Sequence, residues 1–503
     1  MKRFALGVDN GGTVIKAALF SSEGDEIAVV SRMTPVLTPA PGHTERDMES
    51  LWRDNCVCIR QVVEKSGISP DEIIGVAFCG HGKGLYTWGK DGRPVGNGIV
   101  STDNRAWQYP ARWFEDGTWA AQYPKLCQRL MACQQISLLA WMKDHVRDKF
   151  DQIRWVFSVK DYIRFRMTGE AFFESTDFSG SGLMNVRDAR VDGEMLESFG
   201  LGEVAEMVPP VCNSGDFCGA VTKEASELTG LRAGTPVAGG MFDIDACAIA
   251  MSVTKPEQMC TITGTWSINE FISKTPVLGT DISMNSLYAI PGYYLIEESS
   301  ATSAGNLEWV VQNLFRNEPL PPGMKIYQLI DELVSSVPPD ASEVYFLPFL
   351  YGSSEHPLAK ASFLGMTSFH TRAHMLRAVY EGVTFSAKKH IDRLLSVRER
   401  PSAIRLAGGA ANSRLWVQIF ADVLGFPIET VNGVSELGAL GAAMAASVAA
   451  KVFGNYEEAA ETMVKISPPI PPDLKANAIY KQKFDKYETI CKALNQIWGC
   501  FES

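Results

Sequence analysis

A paired-glycine turn between two apolar segments near the amino terminus constrains the fold of this chain most. The segment FALGVDNGGTVIKAALF predicts a strand over residues 4–8, a turn at Gly11 and Gly12, and a second strand over residues 15–20. A dinucleotide-binding unit would place a helix directly after its first glycine turn, so this segment argues against that fold. A second strand, TGTW turn and strand over residues 258–271 suggests an internal duplication.

Strands and helices alternate over the rest of the chain, which predicts the α/β class. Residues 436–450 are rich in Ala and Gly, which indicates a tightly packed buried helix. CGHGKG, residues 79–84, is a predicted loop. The periodicity predicts the remaining strands over residues 73–78 and 404–407, and the remaining helices over residues 47–64, 246–252, 372–395, 413–424 and 477–498.

Length and charge exclude several classes of protein. The chain has 503 residues, 46% of them hydrophobic, which is enough for two or three domains. The net charge is −11 and the sequence has no block of Lys or Arg, so it does not predict a basic surface for binding nucleic acid. The 11 scattered cysteines predict neither a disulfide framework nor a zinc site, and no apolar run of about 18 residues predicts a membrane span. We expect a cytoplasmic protein, and the sequence leaves its oligomeric state open, with a homodimer as one option.

LGVDNGGTVIK, residues 6–16, has the composition of a phosphate-binding turn. Gly11 and Gly12 allow backbone N–H groups to approach a polyphosphate closely, and Thr13 adds a hydroxyl donor. Lys16 supplies a cation, and Asp9 at the end of the first strand can hold Mg²⁺ directly or through water. An ordinary glycine hairpin explains the same pattern.

Two later glycine motifs suit the rest of a nucleotide. TITGTWS contains a turn at Thr263, Gly264 and Thr265 that suits the terminal phosphates. In LAGGAANSRLW, a glycine pair ends a strand before a helix, and Asn412 can reach a base or ribose. A hairpin in the first case, and a connector with a helix cap at Asn412 or Ser413 in the second, are the alternatives.

AGGMFDIDA, residues 238–246, provides a candidate general base. Asp243 follows a glycine pair and opens a helix, where a carboxylate can accept the proton of an attacking hydroxyl during phosphoryl transfer. It could instead only cap the helix. Asp245, two residues on, could cap the helix or bind metal, so the sequence does not separate the two roles.

The order of these motifs resembles that of the FGGY carbohydrate kinase family. DNGGTVIK, FCGHGKG, DNR at residues 103–105, AGGMFD, TGTWS and LAGGAANS follow one another as they do in that family, over nearly the whole chain. The resemblance implies two actin-like (ribonuclease H-like) ATPase lobes, residues 1–250 and 251–503, with a cleft between them. Gly12 and the GHGKG loop are most similar to its L-xylulose kinase branch, and His81 with Gly82 argues against glycerol as the substrate.

The resemblance also implies the ligands and their residues. ATP with Mg²⁺ and a small sugar, L-xylulose first, are the expected ligands; L-ribulose and 3-keto-L-gulonate are the alternatives. Asp243 is the implied base and, with Asp9, the implied metal ligand. A non-catalytic ATP-binding switch of the same fold is the alternative from another class. The implied contacts are Gly11, Gly12, Thr13, Lys16, Thr265, Gly305, Gly409, Ala410 and Asn412 for ATP, and His81, Gly82, Asp103, Arg105 and Asp243 for the sugar.

Overall fold

The computed structural model describes residues 3–264, 266–279, 282–354 and 356–501. Strands and helices alternate along it, as the sequence predicts for an α/β protein. In this described part of the chain, no helix is long and apolar enough to cross a bilayer.

The first half of the chain folds around a seven-stranded sheet with order β13-β14-β5-β1-β2-β3, in which β15 also pairs with β5. Strands β1, β2 and β3 are antiparallel, whereas β5 and β14 run parallel to β1. The strands of this half are β1 (Phe4–Asn10), β2 (Val14–Ser21), β3 (Glu26–Met33), β4 (Glu45–Arg46), β5 (Ile73–Gly80), β6 (Tyr86–Gly89), β7 (Gly98–Ile99), β8 (Ile153–Phe157), β9 (Phe173–Glu174), β10 (Met184–Asn185), β11 (Arg190–Val191), β12 (Val211–Cys212), β13 (Phe217–Ala220), β14 (Pro236–Ala238) and β15 (Met241–Phe242).

Helices cover this sheet and build an insertion beside it. The insertion has its own apolar core, drawn mostly from residues 85–208. The helices of this half are α1 (Met48–Ser66), α2 (Gln108–Glu115), α3 (Thr118–Leu126), α4 (Gln135–His145), α5 (Arg147–Phe150), α6 (Val159–Thr168), α7 (Ser175–Ser179), α8 (Gly193–Ser198), α9 (Lys223–Thr229) and α10 (Asp243–Ala250).

The second half contains a six-stranded sheet with order β18-β19-β17-β16-β22-β23. Its strands, with a separate β20–β21 pair, are β16 (Met259–Thr263), β17 (Ser267–Ser273), β18 (Met284–Leu287), β19 (Tyr294–Ser300), β20 (Tyr345–Leu347), β21 (Ser362–Leu364), β22 (Ile404–Gly408) and β23 (Ile428–Thr430). Its helices are α11 (Gly305–Leu314), α12 (Ile326–Ser335), α13 (Arg372–Leu395), α14 (Arg414–Leu424), α15 (Leu437–Ala449), α16 (Tyr456–Met463) and α17 (Leu474–Leu494).

The two sheets repeat one topology. Strand β16 pairs antiparallel with β17 and parallel with β22, as β1 pairs with β2 and β5. Strand β23 then extends the parallel side, as β14 does in the first sheet. This repeat is what the duplication suggested by the sequence requires, and it brings the two glycine turns to corresponding places.

Helix α15 lies against the first sheet although it belongs to the second half of the sequence. A Cβ on Gly7 of β1 would lie 1.7 Å from the carbonyl oxygen of Ala439, and one on Gly441 would lie 2.1 Å from that of Ala246 in α10. Only glycine allows backbones to approach so closely. The tight packing predicted for residues 436–450 is therefore confirmed, and it ties α15 to β1 and α10.

Some helices and strands begin or end at other residues than predicted, because a helix cap or continued strand pairing sets the boundary. Helix α1 starts after Asp47, whose carboxylate accepts the N–H of Ser50 at 2.6 Å. Strand β5 continues through Gly80 because it still pairs with β1 there, so the predicted loop over residues 79–84 was wrong for its first two residues. Helix α10 begins at Asp243 rather than residue 246, and α17 spans 474–494 because Asp473 caps its start.

Candidate active site

The first glycine turn joins β1 to β2 and is held by a few backbone contacts. The N–H of Gly11 donates to the carbonyl of Val14 at 3.1 Å, and the carbonyl of Thr13 accepts the N–H of Thr34 at 2.9 Å. A Cβ on Gly12 would meet no atom within 4 Å. Packing within the protein thus does not require glycine there, whereas close approach of a ligand to the backbone gives a reason for it.

Asp9 and Asp243 lie at the same edge of the first sheet. Asp9 pairs in register with Cys79 of β5, and Cys79 pairs with Met241 just before Asp243. Desolvation raises the pKa of Asp9 to about 6, with Lys16 lowering it and Glu436 raising it. Desolvation and then the charge of Asp9 raise the pKa of Asp243 well above its ordinary value. The structure therefore brings the two predicted carboxylates together.

Asp243 does not act as the cap of α10. The cap position is Phe242, and no side chain accepts a hydrogen bond there. The N–H of Phe242 donates to Thr176 Oγ1 at 2.9 Å, which fixes the backbone that carries Asp243. Asp245 is fully buried, and its Oδ1 accepts the N–H of Ala289 at 3.0 Å. That bond gives Asp245 a structural partner, while Asp243 stays partly exposed at the cleft.

Lys16 faces Asp9 across the β1–β2 ladder, as a phosphate-binding cation would. Its Nζ lies 2.7 Å from Glu436 Oε2, just before α15. Lys16 is thus held in place by a residue from the far end of the chain. The sequence motif contains no signal for this ion pair.

His81 lies in the loop after β5. Its imidazole is buried, with Nε2 3.2 Å from the Tyr86 hydroxyl. Burial, and then the charge of Arg46, lowers the pKa of His81 to about 4, so the ring is neutral at physiological pH. A Cβ on Gly82 would lie 2.3 Å from the ring of Phe242, so glycine there lets the loop pack beside Asp243. The sugar contacts expected of His81 and Gly82 stay predictions.

Lys83, in the same loop, lines a cavity. Its φ is 63°, in the left-handed region that β-carbon-bearing residues seldom occupy. The cavity measures about 470 Å³. Its other charged lining residues are Arg129 and Glu297, and Glu297 also raises the pKa of Asp243. We call it the sugar-side cavity; its full lining is Lys83, Phe114, Gln128, Arg129, Leu130, Met131, Ser283, Met284, Glu297 and Ser299.

Asp103 and Arg105 form an ion pair within the first half of the chain. Arg105 Nη2 lies 2.8 Å from Asp103 Oδ2 and 2.8 Å from Glu45 Oε1, and its guanidinium lies 5.1 Å from the ring centre of Trp141. Asp103 Oδ2 also accepts the N–H of Thr44 at 2.7 Å. Arg105 lines a third cavity rather than the sugar-side cavity, so direct contact of this pair with a sugar stays a prediction.

A cavity of about 410 Å³ lies at the second glycine turn, and we call it the nucleotide cavity. A Cβ on Gly408 would lie 2.4 Å from the carbonyl oxygen of Thr263, so the close strand approach requires glycine. Thr263 Oγ1 donates to the carbonyl of Ala407 at 2.7 Å and ties the two glycine motifs together. The cavity is lined by Thr263, Gly264, Ala304, Gly305, Leu307, Glu308, Tyr327, Asp331, Tyr380, Gly409, Asn412, Ser413 and Trp416.

Some of the nucleotide-binding residues predicted in the second half line this cavity, and others do not. Gly305, Gly409 and Asn412 line it. Ala410 is fully buried, and its N–H donates to Thr263 Oγ1 at 3.1 Å. Ser413 caps α14 by accepting the N–H of Trp416, which leaves Asn412 free of that role. Thr265 lies outside the described residues.

A buried ionic cluster lies near enough to Asp243 to affect its pKa. Lys160 Nζ lies 3.1 Å from Asp161, 3.2 Å from Glu174 and 3.4 Å from Asp177, and all four side chains are fully buried. Desolvation raises the pKa of Asp177 to about 7, and Asp177 in turn raises that of Asp243. None of these residues was predicted, because buried charges have no periodic signal.

The donor set at Asp9 fits Mg²⁺. Its Oδ1 is buried without a hydrogen-bond partner, and Mg²⁺ prefers carboxylate oxygen. Among the described residues, no group of three or more His, Cys, Asp and Glu side chains could hold a metal ion.

Family models match nearly the whole chain. The N-terminal domain of the FGGY family of carbohydrate kinases matches residues 4–250, and its C-terminal domain matches residues 259–450. An L-xylulose/3-keto-L-gulonate kinase of Escherichia coli K12 is 36% identical over 98% of both chains. A probable L-xylulose kinase of Pasteurella multocida Pm70 is 35% identical over 98% of this chain and 99% of its own.

Solved structures share the fold. A gluconate kinase from Lactobacillus acidophilus superposes with a TM-score of 0.89 at 23% identity, over the full length of both chains. A ligand-bound xylulose kinase from the same organism gives a TM-score of 0.89 at 23% identity, over 99% of this chain and 100% of its own. The predicted two-lobed α/β fold is confirmed.

Proposed function

Because the chain belongs to the FGGY family of carbohydrate kinases and is an ATP-dependent sugar kinase, we propose that its substrate is a ketopentose, L-xylulose first. The γ-phosphoryl group of ATP is transferred to a terminal hydroxyl of the sugar. The observation that carries this proposal is that Asp243 shares a sheet edge with Asp9 of the phosphate turn, and that the charges of Asp9 and of Glu297, which lines the sugar-side cavity, both raise the pKa of Asp243. Relatives named for L-xylulose support the choice of sugar.

Asp243 acts as the general base in this proposal. It accepts the proton of the sugar hydroxyl while that oxygen bonds to the γ-phosphorus and the bond to the ADP oxygen breaks. A raised pKa makes the carboxylate a stronger base than an exposed aspartate. Thr176 fixes the backbone at Phe242, which limits the positions that the carboxylate can take.

Charge on the phosphates is balanced from two sides. The backbone of Gly11 and Gly12, with Thr13 and Lys16, binds the phosphates from the first half, and the turn at Thr263 and Gly264 with Gly409 binds from the second. Asp9, with Asp243 beside it, would hold Mg²⁺, which supplies neutralisation of phosphate charge when bound. The nucleotide cavity takes the nucleoside, with Gly305 and Asn412 in its wall.

Sugar acids are the second candidate class. Lys83 and Arg129 both line the sugar-side cavity, and neither forms an ion pair with a described carboxylate. A substrate carboxylate would give these cations a partner. 3-Keto-L-gulonate, which the name of one relative includes, has such a group.

A substrate panel tests the assignment. Coupled ADP release is measured with L-xylulose, L-ribulose, 3-keto-L-gulonate and glycerol, and we expect the highest kcat/KM with L-xylulose. ADP release that does not depend on any sugar would indicate a nucleotide switch and refute the proposal, and so would a preference for glycerol.

A variant separates the two sugar classes. Lys83→Met removes the charge while keeping the length, and we expect it to raise KM for 3-keto-L-gulonate about tenfold or more, as loss of a charged hydrogen bond does, while KM for L-xylulose changes less. Lys90→Met is the matched control, because Lys90 is an exposed lysine beside the same segment. Equal effects on both sugars would remove the case for a sugar acid.

A further inference from the structure

Asp331 of α12 presents a carboxylate to the nucleotide cavity. Its Oδ1 accepts two hydrogen bonds, from the Tyr380 hydroxyl at 2.8 Å and from Ser413 Oγ at 2.7 Å. Within the described part of the chain, its Oδ2 accepts no hydrogen bond. One oxygen of Asp331 is therefore fixed by the protein, and the other is available to a ligand.

The two donors that hold Asp331 are themselves rigid. Tyr380 stacks on Trp416 with ring centres 4.2 Å apart and an interplanar angle of 15°. Trp416 Nε1 donates to the carbonyl of Tyr380 at 3.1 Å, and Ser413 Oγ accepts the N–H of Trp416 at 3.1 Å. Burial, and then the charge of Asp331, raises the pKa of Tyr380, so its hydroxyl stays a donor. This network fixes the direction of the free oxygen.

The lining of the cavity combines glycine backbone with aromatic side chains. Gly264 and Gly409 provide bare backbone at the carboxyl ends of β16 and β22, where phosphates can approach. Tyr327, Tyr380 and Trp416 form the aromatic wall around Asp331. A nucleotide with its phosphates at the glycines places its base at the aromatic wall, beside the free carboxylate oxygen.

We propose that Asp331 accepts a hydrogen bond from the 6-amino group of adenine and selects ATP against purine triphosphates that have a 6-oxo group. A carboxylate is only an acceptor, so it pairs with an amino group and repels a carbonyl oxygen. Sites built to bond a substrate N–H discriminate strongly against an analogue that lacks it. The inference rests on the assignment of this cavity to the nucleotide.

Analogues that differ only at position 6 test this on the unmodified enzyme. We expect kcat/KM to fall in the order ATP, the purine riboside triphosphate with hydrogen at position 6, and ITP, with ATP and ITP about 100-fold apart. Equal use of ATP and ITP overturns the proposal. Thermal-shift titrations with the same nucleotides should give the same order without any sugar, so an error in the sugar assignment does not affect the result.

Asp331→Asn gives an independent readout. The amide keeps an oxygen for Tyr380 and Ser413 and replaces the free acceptor with a donor, so we expect the ATP-to-ITP ratio of kcat/KM to fall at least tenfold. Glu332→Gln, an exposed substitution on the same helix, should leave the ratio unchanged. A fall in both activities at constant ratio means that Asp331 only supports the wall, which overturns the proposal.

Gly409→Val separates failure of the site assignment from failure of the specificity assignment. A Cβ at Gly409 would lie 3.0 Å from the Cβ of Ala304, so a larger side chain must extend into the cavity wall. We expect KM for ATP to rise at least tenfold. An unchanged KM would place the nucleotide elsewhere, whatever Asp331 does.

Discussion

Asp243→Asn is expected to abolish turnover and to raise thermal stability at the same time. The amide has the shape of the carboxylate but accepts no proton at neutral pH. General-base catalysis contributes roughly 10²–10⁴-fold. The expected loss in kcat therefore corresponds to about 2.7–5.4 kcal/mol of barrier. ATP binding should change little, because the proposed nucleotide contacts lie elsewhere.

The gain in stability follows from the sign of the pKa shift. Desolvation and the charges of Asp9 and Asp177 raise the folded-state pKa of Asp243. A carboxyl group with a raised folded-state pKa stabilises the fold at acidic pH, and that stability is lost as the pH rises through the folded-state pKa. At neutral pH the wild-type carboxylate therefore costs stability that an amide does not. The variant should melt at a higher temperature than wild type above that pKa, and the difference should shrink in acid.

Coupled ADP release and thermal melting at pH 5 and pH 8 measure both effects. Asp245→Asn is the matched control, because Asp245 is two residues away, is buried and also has a raised pKa. Its amide keeps the oxygen that accepts the N–H of Ala289, so kcat should stay within tenfold of wild type. Retention of kcat within tenfold by Asp243→Asn, or equal losses in both variants, refutes the assignment of the base to Asp243.

Two further predictions concern the metal and the buried cluster. Protons compete with a cation for Asp9, whose pKa is about 6. The Mg²⁺ concentration for half-maximal activity should therefore rise up to about tenfold for each pH unit below 6. If that Mg²⁺ concentration stays constant between pH 5 and 7, metal binding by Asp9 is contradicted. Lys160→Met leaves the buried carboxylates of Glu174 and Asp177 without their cation, while Asp161 keeps Arg164 at 2.7 Å, and the variant should lower the free energy of unfolding by about 3–5 kcal/mol in chemical denaturation. Lys90→Met should change it by less than about 0.5 kcal/mol, and a similarly small effect of Lys160→Met would show that the cluster is not a source of stability.

The local sequence pattern correctly predicted those helices and turns whose boundaries do not depend on contacts with distant parts of the chain. Helix α13 has the predicted bounds of 372–395, because its apolar spacing is regular and its ends are polar. The turn at Gly11 and Gly12 could also be predicted from the sequence, because paired glycines between two apolar segments indicate a tight turn. Element type and the position of this glycine turn therefore follow from short stretches of sequence.

The orientation of side chains did not follow from the motifs. The sugar contact expected of His81 stays a prediction, whereas Lys83 of the same loop, whose backbone is left-handed, lines the sugar-side cavity without any signal in the motif. Asp331 lies on the polar phase of an amphipathic helix, where solvent exposure is the ordinary expectation. Its partners Tyr380 and Ser413 lie 49 and 82 residues away. Only the tertiary fold brings such groups together.

The packing of α15 against β1 also brings charged groups of the site close together. Helix α15 approaches β1 so closely that a Cβ on Gly438 would lie 2.9 Å from Asp9 Oδ2, and Glu436 at the start of the same helix forms an ion pair with Lys16. Asp9 therefore shares its nearest cation with a second carboxylate, and Asp243 beside it has no cation of its own among the described ion pairs. Desolvation by burial, and then the neighbouring carboxylates, raise both pKa values. A ligand that brings positive charge to this edge of the sheet would relieve the repulsion, so we expect binding of Mg²⁺ with ATP to raise folding stability through the contact of α15 with β1. Enlarging Gly438 should weaken Mg²⁺-dependent stabilisation by ATP more than it weakens the binding of sugar, because it acts on Asp9 and not on the sugar-side cavity.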